Sequence, residues 1–518
     1  MPEKKKQRFS QMKKQQSKAF EVPIPLKEEL SETQLLTGDI SHDASLLQKA
    51  TGNSADIIYK TFHINPQSFL FIYTEGLANQ QTIRNLLEYL MSVSVADYLE
   101  QLLVESRIPI GSTKELLTAQ EALSSLLVGH SVLIIAGIPK GIAIDTNGIE
   151  HRTVSEPQNQ TVIKGPQEAF NETLVTNIAL VRKRIRHPNL WTERMEIGDV
   201  TKTAICIMYV KNLANEDIIN EVRRRLKQIK TDSILESGYI EEFIADQQRG
   251  IFPTMFNTER PDVIAADLLE GKVAIFVDGT PYVLSAPAVF IQFFQAAEDY
   301  YNRGDYGMLR MLRFACFFIT LLAPALYIAL TTYHQEMLPT TLLISIAAQR
   351  DAIPFPAFIE ALLMQFTFEI LREAGIRMPR AIGNAVSIVG ALVLGEAAVQ
   401  AGFVSPAMVI VISITALTTF ISPDFAMSFP QRILRIILML LGASFGLFGI
   451  VVGLFAVLLH LCHLQSFGVP YMSPLAPFNR NDQQDTFLRL PRWAMHKRPK
   501  MFHSQNEIRT ATKQGDET

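Results

Sequence analysis

The sequence predicts an α/β plus α-helical membrane protein: two related α/β cytoplasmic subdomains followed by a polytopic transmembrane helix bundle. Three observations predict it. Residues 1–310 have the composition of a soluble chain, whereas 311–464 do not; the second stretch holds several uncharged runs of membrane-crossing length; and one strand-helix-hairpin pattern occurs twice in the polar half.

At 518 residues the chain holds enough material for several domains, each with its own core. The formal net charge of −3 excludes a general nucleic-acid binder, which needs a positive field to meet phosphates. Cys206, Cys316 and Cys462 stand far apart and form no C-x-x-C pair, so reduced packing residues are expected rather than a disulfide framework or a zinc site. The basic N-terminus has no apolar run behind it, so no export of the soluble half is expected.

Residues 1–30 are rich in Lys and Gln and poor in apolar side chains, which predicts a disordered basic arm; it reads equally as a headgroup-attracted segment and as a solvated tail. Residues 31–195 are assigned to the first subdomain with a helical linker, and 196–310 to the second. In Phe69–Leu90 an apolar strand leads through a turn into apolar positions at helical spacing, and Ala204–Leu226 has the same order. Leu77-Ala78-Asn79 recurs as Leu213-Ala214-Asn215. Each copy is followed by two apolar runs around a Gly-x-Pro turn, at Gly137-Ile138-Pro139 and Gly279-Thr280-Pro281, the pattern of a hairpin. Two such units facing each other suggest a ligand cleft or simply a larger scaffold.

Residues 311–465 are assigned to the membrane. Phe314–Tyr333 is twenty residues without a charge, which at about 1.5 Å per residue matches a hydrocarbon core of about 30 Å. Gly383–Val404, interrupted only by Glu396, Ala407–Ser422 and Ile436–Leu459 supply three more spans, and Pro356–Leu371, with Glu360 and Glu369, is a fifth apolar stretch that spans, re-enters or lies inside the bundle, which gives four or five spans. Arg303, Arg310 and Arg313 place the N-terminal half in the cytoplasm by the positive-inside rule. The basic polar tail, 466–518, then favours an even number of spans, whereas the arginines at 372, 377, 380, 432 and 435 favour five, which leaves the side of the C-terminus open.

An ionised carboxylate at mid-membrane costs at least about 2.5–3.5 kcal/mol, so Glu360 and Glu396 must look inward. Glu369 and Arg372 are spaced to pair on one helix face, which leaves Glu360 as the better candidate for a water-filled path. Thr415, Thr418 and Ser422 form a hydroxyl stripe that lines a pore or bonds to its own helix. Gly383, Ser387, Ala391 and Gly395, and again Gly442 and Gly446, place small residues at four-residue spacing, a helix-packing face. His460, Cys462 and His463 lack a fourth ligand, so no metal is expected. Neither a phosphate-binding loop nor a nucleophile elbow occurs in a suitable setting, so neither a cofactor nor enzyme activity is expected.

Several segments together resemble one known family. They are Lys164-Gly-Pro-Gln-Glu-Ala-Phe-Asn-Glu172, continuing through Asn177 to Arg182, Arg184 and Arg186; Thr258-Glu-Arg-Pro-Asp262; Leu268-Leu-Glu-Gly-Lys-Val-Ala-Ile-Phe-Val-Asp-Gly-Thr-Pro281; and Glu298-Asp-Tyr-Tyr301. The apolar half adds His334-Gln-Glu-Met-Leu-Pro339, Pro354-Phe-Pro-Ala-Phe-Ile-Glu360 and Glu373-Ala-Gly-Ile-Arg377. From about residue 55 to 465 the chain resembles the A-subunit family of bacterial spore-germination receptors, the GerA family. The motif positions are Lys164, Gly165, Pro166, Glu168, Glu259, Arg260, Pro261, Asp262, Asp278, Gly279 and Pro281. The family usually has Arg where Lys164 stands and a basic residue where Gln167 stands, so a bidentate anion clamp there is weakened.

The resemblance implies a subunit of a nutrient receptor in the spore inner membrane, a multi-pass protein working with an amino-acid-permease-like B subunit and a lipoprotein C subunit. It also implies self-association around an ion path that nutrient binding on the B partner opens to monovalent cations. Two other readings stand beside it: a non-conducting membrane scaffold for the sensor subunits, and a proton-coupled transporter titrating Glu396. The only internal repeat lies in the polar half, which weighs against the transporter.

Overall fold

The computed structural model describes residues 34–64, 67–92, 112–148, 156–248, 250–301, 307–377, 395–480, 482–502, 504 and 506–509. The expected arm at 1–30, together with Gly383, Ser387, Ala391 and most of the expected span Gly383–Val404, lies outside these residues.

Two five-stranded antiparallel sheets make up the polar half, and they share one topology. The first lobe runs α1 (Ile40–Ala50), β1 (Ile57–Ile64), β2 (Gln67–Thr74), α2 (Gln80–Ser92), β3 (Thr113–Leu116), α3 (Ala119–Val128), β4 (Ser131–Ile135) and β5 (Gly141–Ile144), with sheet order β1-β2-β4-β5-β3. The second runs α4 (Leu174–Arg184), β6 (Leu190–Ile197), β7 (Thr203–Val210), α5 (Glu216–Gln228), α6 (Ser237–Ile244), β8 (Phe256–Thr258), α7 (Pro261–Leu269), β9 (Val273–Val277) and β10 (Val283–Ala286), with order β6-β7-β9-β10-β8. Counting strands within each lobe, both read 1-2-4-5-3, so the repeated tripeptide marks a duplicated fold. Both expected hairpins are present, as β4-β5 and β9-β10.

Each sheet is covered on both faces, which is why its central strands read as continuous apolar runs. Successive side chains of a strand point to opposite faces, so on β7 Ile205, Ile207 and Tyr209 pack under α5 and α6 while Cys206, Met208 and Val210 pack under α4 and α7. The second lobe therefore begins by Leu174, and the expected boundary at 195/196 cuts through β6. A charged, solvated-looking linker helix gave no sign that its buried stripe belongs downstream.

The lobes dock through a buried ion pair. Arg182 of α4 donates from Nε and Nη2 to the Asp56 carboxylate, both at 2.8 Å, and Thr192 Oγ1 donates to the same group at 2.8 Å. Arg182 is fully buried.

The apolar half is a helix bundle comprising α8 (Met308–Thr332), α9 (Thr340–Arg350), α10 (Ala357–Arg377), α11 (Gly395–Gln400), α12 (Pro406–Thr419) and α13 (Ser428–His463). Leu321, Ala325 and Ile328 of α8 pack with Ala361, Met408, Leu438 and Ile450, and the same apolar cluster continues into Phe290, Phe293 and Phe294 beneath the second lobe.

The expected single span Ile436–Leu459 is overturned. At Gly446 the backbone takes φ 63° and ψ −145°, outside the helical region. A Cβ on Gly453 would meet Leu438 Cδ2 at 2.7 Å, although a straight helix separates these residues by about 22 Å. The chain thus reverses at Gly446, and α13 is two antiparallel arms. Gly442 and Gly453 let the arms and α8 approach closely, whereas Gly446 is the break rather than part of a helix face. The tip sits by the end of α8, where Tyr333 Oη donates to the carbonyls of Ala443 and Ser444 at 3.0 and 3.1 Å. The second arm consequently returns to the lobe end, and the chain after 466 packs on the second lobe, with Phe467, Tyr471 and Phe502 buried there.

Replacing Asp56 with Ala leaves Arg182 charged and buried without its partner, and loss of about 3–5 kcal/mol is expected, read as the midpoint of chemical unfolding of the full chain. Gly446→Ala forces an L-residue into a glycine conformation with its Cβ 2.6 Å from His334 Cε1. About 1–3 kcal/mol of destabilisation is expected, checked by thermal unfolding in detergent against the control Gly375→Ala, where a Cβ meets nothing.

Candidate functional site at the lobe–bundle junction

The junction is built on Asp299, in the helical turn Glu298–Tyr301. Its Oδ2 accepts from Arg310 Nε and Nη2, each at 3.2 Å, and from Arg313 Nη1 at 2.8 Å, all within the first turns of α8. Arg310 Nη1 also donates to Asp485 Oδ1 at 2.8 Å and to the Asp485 carbonyl at 2.7 Å, tying in the C-terminal segment. Tyr300 Oη donates to Asp485 Oδ2 at 2.7 Å, and the rings of Phe294 and Phe314 stack at 4.3 Å. Arg310 and Arg313, expected only as orientation signals, are therefore structural links, whereas Arg303 lies outside the described residues; Asp485, inside a basic tail, gave no signal in the sequence.

Beside this network lies a cavity of about 710 Å³, within the size of small-molecule sites. Its wall combines Arg260, Asp262 and Tyr301 with Ser422 and Asp424, from the loop between α12 and α13, and with Arg498 of the C-terminal segment. The cleft considered between the two lobes is instead occupied by the Arg182–Asp56 contact, and the cavity opens between the second lobe and the bundle.

Of the motif positions, Arg260 and Asp262 line this cavity, and most of the others brace the segment beside it. Arg260, buried at the start of α7, donates to the carbonyls of Gln160 and Pro166 at 3.1 and 3.0 Å and to Asp262 Oδ2 at 2.9 Å, and Tyr301 Oη donates to the same Asp262 oxygen. Glu259 accepts from the backbone N–H groups of Asn159 and Gln160 at 2.7 and 2.9 Å. Gly165 has φ +141° and a Cβ there would meet the Tyr301 ring at 2.7 Å, so the turn lies flat on that tyrosine. Glu168 pairs with Arg184 and Lys183, Asp278 Oδ1 accepts from Leu174 N at 3.0 Å, and Gly279, with Pro281 beyond it, turns β9 into β10. Lys164 is exposed. These groups strap residues 156–170 to the second lobe, and Pro261 opens α7 where its missing N–H costs nothing.

The expected ion-path residues are not brought together. Glu360 is fully buried near the far end of the bundle, where Oε1 accepts from Ser405 N at 2.5 Å and from Ser405 Oγ, and Oε2 lies 4.0 Å from Arg350 Nε. Since Ser405 is the N-cap of α12, the carboxylate meets the positive end of that helix. Glu396 is exposed, accepting from Gln400 Nε2 at 3.1 Å, and does not look inward as expected. Thr415 and Thr418 are buried and donate to carbonyls of their own helix, and Thr320 Oγ1 donates to Thr418 Oγ1 at 2.8 Å. Ser422 lines the junction cavity instead. Gly395 has open space beside it, with Val409 Cγ1 4.0 Å from an added Cβ.

Two acids at the junction titrate abnormally. Burial pushes Asp424 up from 3.8 to about 6, although Ala426 N donates to it. Burial, with repulsion from Asp424 and Glu236, pushes Glu241 up from 4.5 to about 7, while Asn257 offsets part of this. A carboxyl whose pKa is higher when folded holds its proton more tightly in the native state, so stability falls as pH rises through the interval up to the folded value. Asp424→Asn is expected to match the parent near pH 3, below the ordinary carboxylate value, and to exceed it in stability at pH 8, measured by unfolding midpoints; an equal difference at both values refutes the assignment.

The family described as Bacillus/Clostridium GerA spore germination protein matches residues 45–501. Spore germination protein KA of Bacillus subtilis (strain 168) is 46% identical over 491 residues, 93% of this chain and 90% of that protein. Spore germination protein GerLA of Bacillus cereus is 40% identical over 78% of this chain and 83% of its own length. A third relative, 41% identical over 91% of this chain and 93% of its own, is the uncharacterized membrane protein YfkQ of Bacillus subtilis (strain 168). The solved N-terminal domain of the A subunit of the Bacillus megaterium spore germinant receptor GerK3 is 40% identical, covering 50% of this chain and 99% of that domain, with a TM-score of 0.40.

Proposed function

The chain belongs to the GerA family of spore germination proteins, and from that premise we propose that it is the A-type subunit of a nutrient receptor, crossing the spore inner membrane several times with its lobes in the cytoplasm. The family match over most of the chain carries the germination role. Membrane insertion is supported by the apolar side chains exposed around the bundle, Phe366, Leu417, Phe448 and Phe455 among them, which water does not tolerate in such a continuous belt. Two helices, Met308–Thr332 and Phe425–His463, have the length and composition of spans; with the turn at Gly446 the second contributes two passes. In this reading both arms leave the C-terminal segment on the side of the lobes, in keeping with its basic charge.

The finer proposal is an oligomer of this chain that, with an amino-acid-permease-like B subunit and a lipoprotein C subunit, forms a nutrient-gated path for monovalent cations. The junction supports gating: lobe, first helix and C-terminal segment share one network, and the α12–α13 loop lines the same cavity, so a displacement of the lobes is felt by the bundle. A non-conducting scaffold remains the second reading, favoured by one observation: within a single chain one oxygen of Glu360 is taken by Ser405 and the threonine hydroxyls by their own backbone. Reconstitution in liposomes separates the two. With B and C partners present, nutrient is expected to start potassium efflux, and Glu360→Gln to lower it while assembly persists; efflux that never depends on this chain supports the scaffold.

A further inference from the structure

At the lobe end of the bundle, α10 and the first arm of α13 gather three arginines around one acid. Glu369 pairs with Arg372 on its own helix and lies 3.4 Å from Arg435 Nη2 and 3.7 Å from Arg432 Nη1. Gln365 Nε2 donates to it at 2.9 Å. The next acid along, Glu373, is exposed and turned to Arg377 at 2.7 Å. The cluster thus holds more positive than negative charge. Arg435 is only 1% exposed, yet its Nε and Nη1 make no hydrogen bond, and neither does Nε of Arg432. A guanidinium cannot shed its proton, and a buried one without enough acceptors is strongly unfavourable. The sequence between α10 and α11, residues 378–394, offers Arg380 and no acid.

We propose that this cluster binds the phosphate of an anionic phospholipid headgroup, on the leaflet facing the lobes; the inference rests on the membrane reading above. Forked N–H donors match phosphate oxygens in geometry and charge. Arg432 and Arg435 stand one and two turns into α13, about 10 Å along its axis, which is headgroup depth for a helix entering from the lobe side. The flanks favour a lipid over a free ion: Phe366 and Ile370 on α10 and Phe429, Ile436 and Leu440 on α13 are exposed and apolar beside the arginines, a track for acyl chains.

The test uses the full chain in neutral detergent, titrated with phosphatidylglycerol, phosphatidylcholine or inorganic phosphate, with binding read by native mass spectrometry and stability by thermal unfolding. Phosphatidylglycerol is expected to bind on the order of tenfold more tightly than phosphatidylcholine and to raise the melting temperature. Arg432→Gln, at a partly exposed position, should lose most of that preference, and Arg435→Lys should keep part of it. Equal binding of the two lipids, an unaltered preference in Arg432→Gln, or full replacement of the effect by millimolar phosphate each overturns the proposal. So does a change in oligomeric state on Arg432→Gln without a change in lipid preference, which would assign the missing acid to a second copy of the chain. Because insertion into phosphatidylcholine vesicles is scored separately, failure of the headgroup site is distinguishable from failure of the membrane reading.

Discussion

The guanidinium of Arg310 is the constraint on which the remainder of the molecule turns. It is fully buried at the point where the polar half becomes the apolar half, and its charge is met by Asp299 from one side and Asp485 from the other. Neither acid alone suffices, because Arg313 also draws on Asp299. A turn after the second lobe, the first helix and the segment beyond the last helix must therefore arrive together. Apolar packing such as Phe294 on Phe314 supplies area, whereas directed charge pairs fix the angle and register of the helix.

The family motifs acquire a plain physical meaning. Arg260, Asp262, Glu259 and Gly165 hold an irregular segment against the second lobe by satisfying its backbone carbonyls and N–H groups. This is work that a long connection needs wherever it is buried, since unpaired peptide groups are costly away from water. The junction cavity is what remains between that segment, the α12–α13 loop and the C-terminal segment, so its shape depends on all three.

Legibility in the sequence followed the range of the interactions. Hairpins at Gly279-Thr280-Pro281 and its counterpart were readable because turn chemistry is local, and the Glu369–Arg372 pair because helical spacing is. The duplication was visible in a tripeptide, but the shared strand order was not, since pairing across a sheet leaves no periodic trace. Arg432 and Arg435 were read as topology signals because their partner lies about sixty residues away in sequence. Gly446 stood in a small-residue pattern that serves helix packing and helix termination alike; only its positive φ distinguishes them. Glu360 is fully buried, and its acceptor role at Ser405 depends on where a different helix starts.

The segment after α13 carries a consequence for how the chain is made. Ser466 Oγ donates to the carbonyl of Thr254, Ala288 N donates to Ser466 Oγ, and Phe502 lies in the core of a lobe whose sheet ends at Ala286. That lobe is left unfinished until the ribosome has passed some two hundred further residues, every apolar helix among them, a contact of very high sequence separation. Truncating or tagging the C-terminus therefore perturbs a lobe core translated long before it, and the chain becomes a closed loop only when residues 466–502 dock.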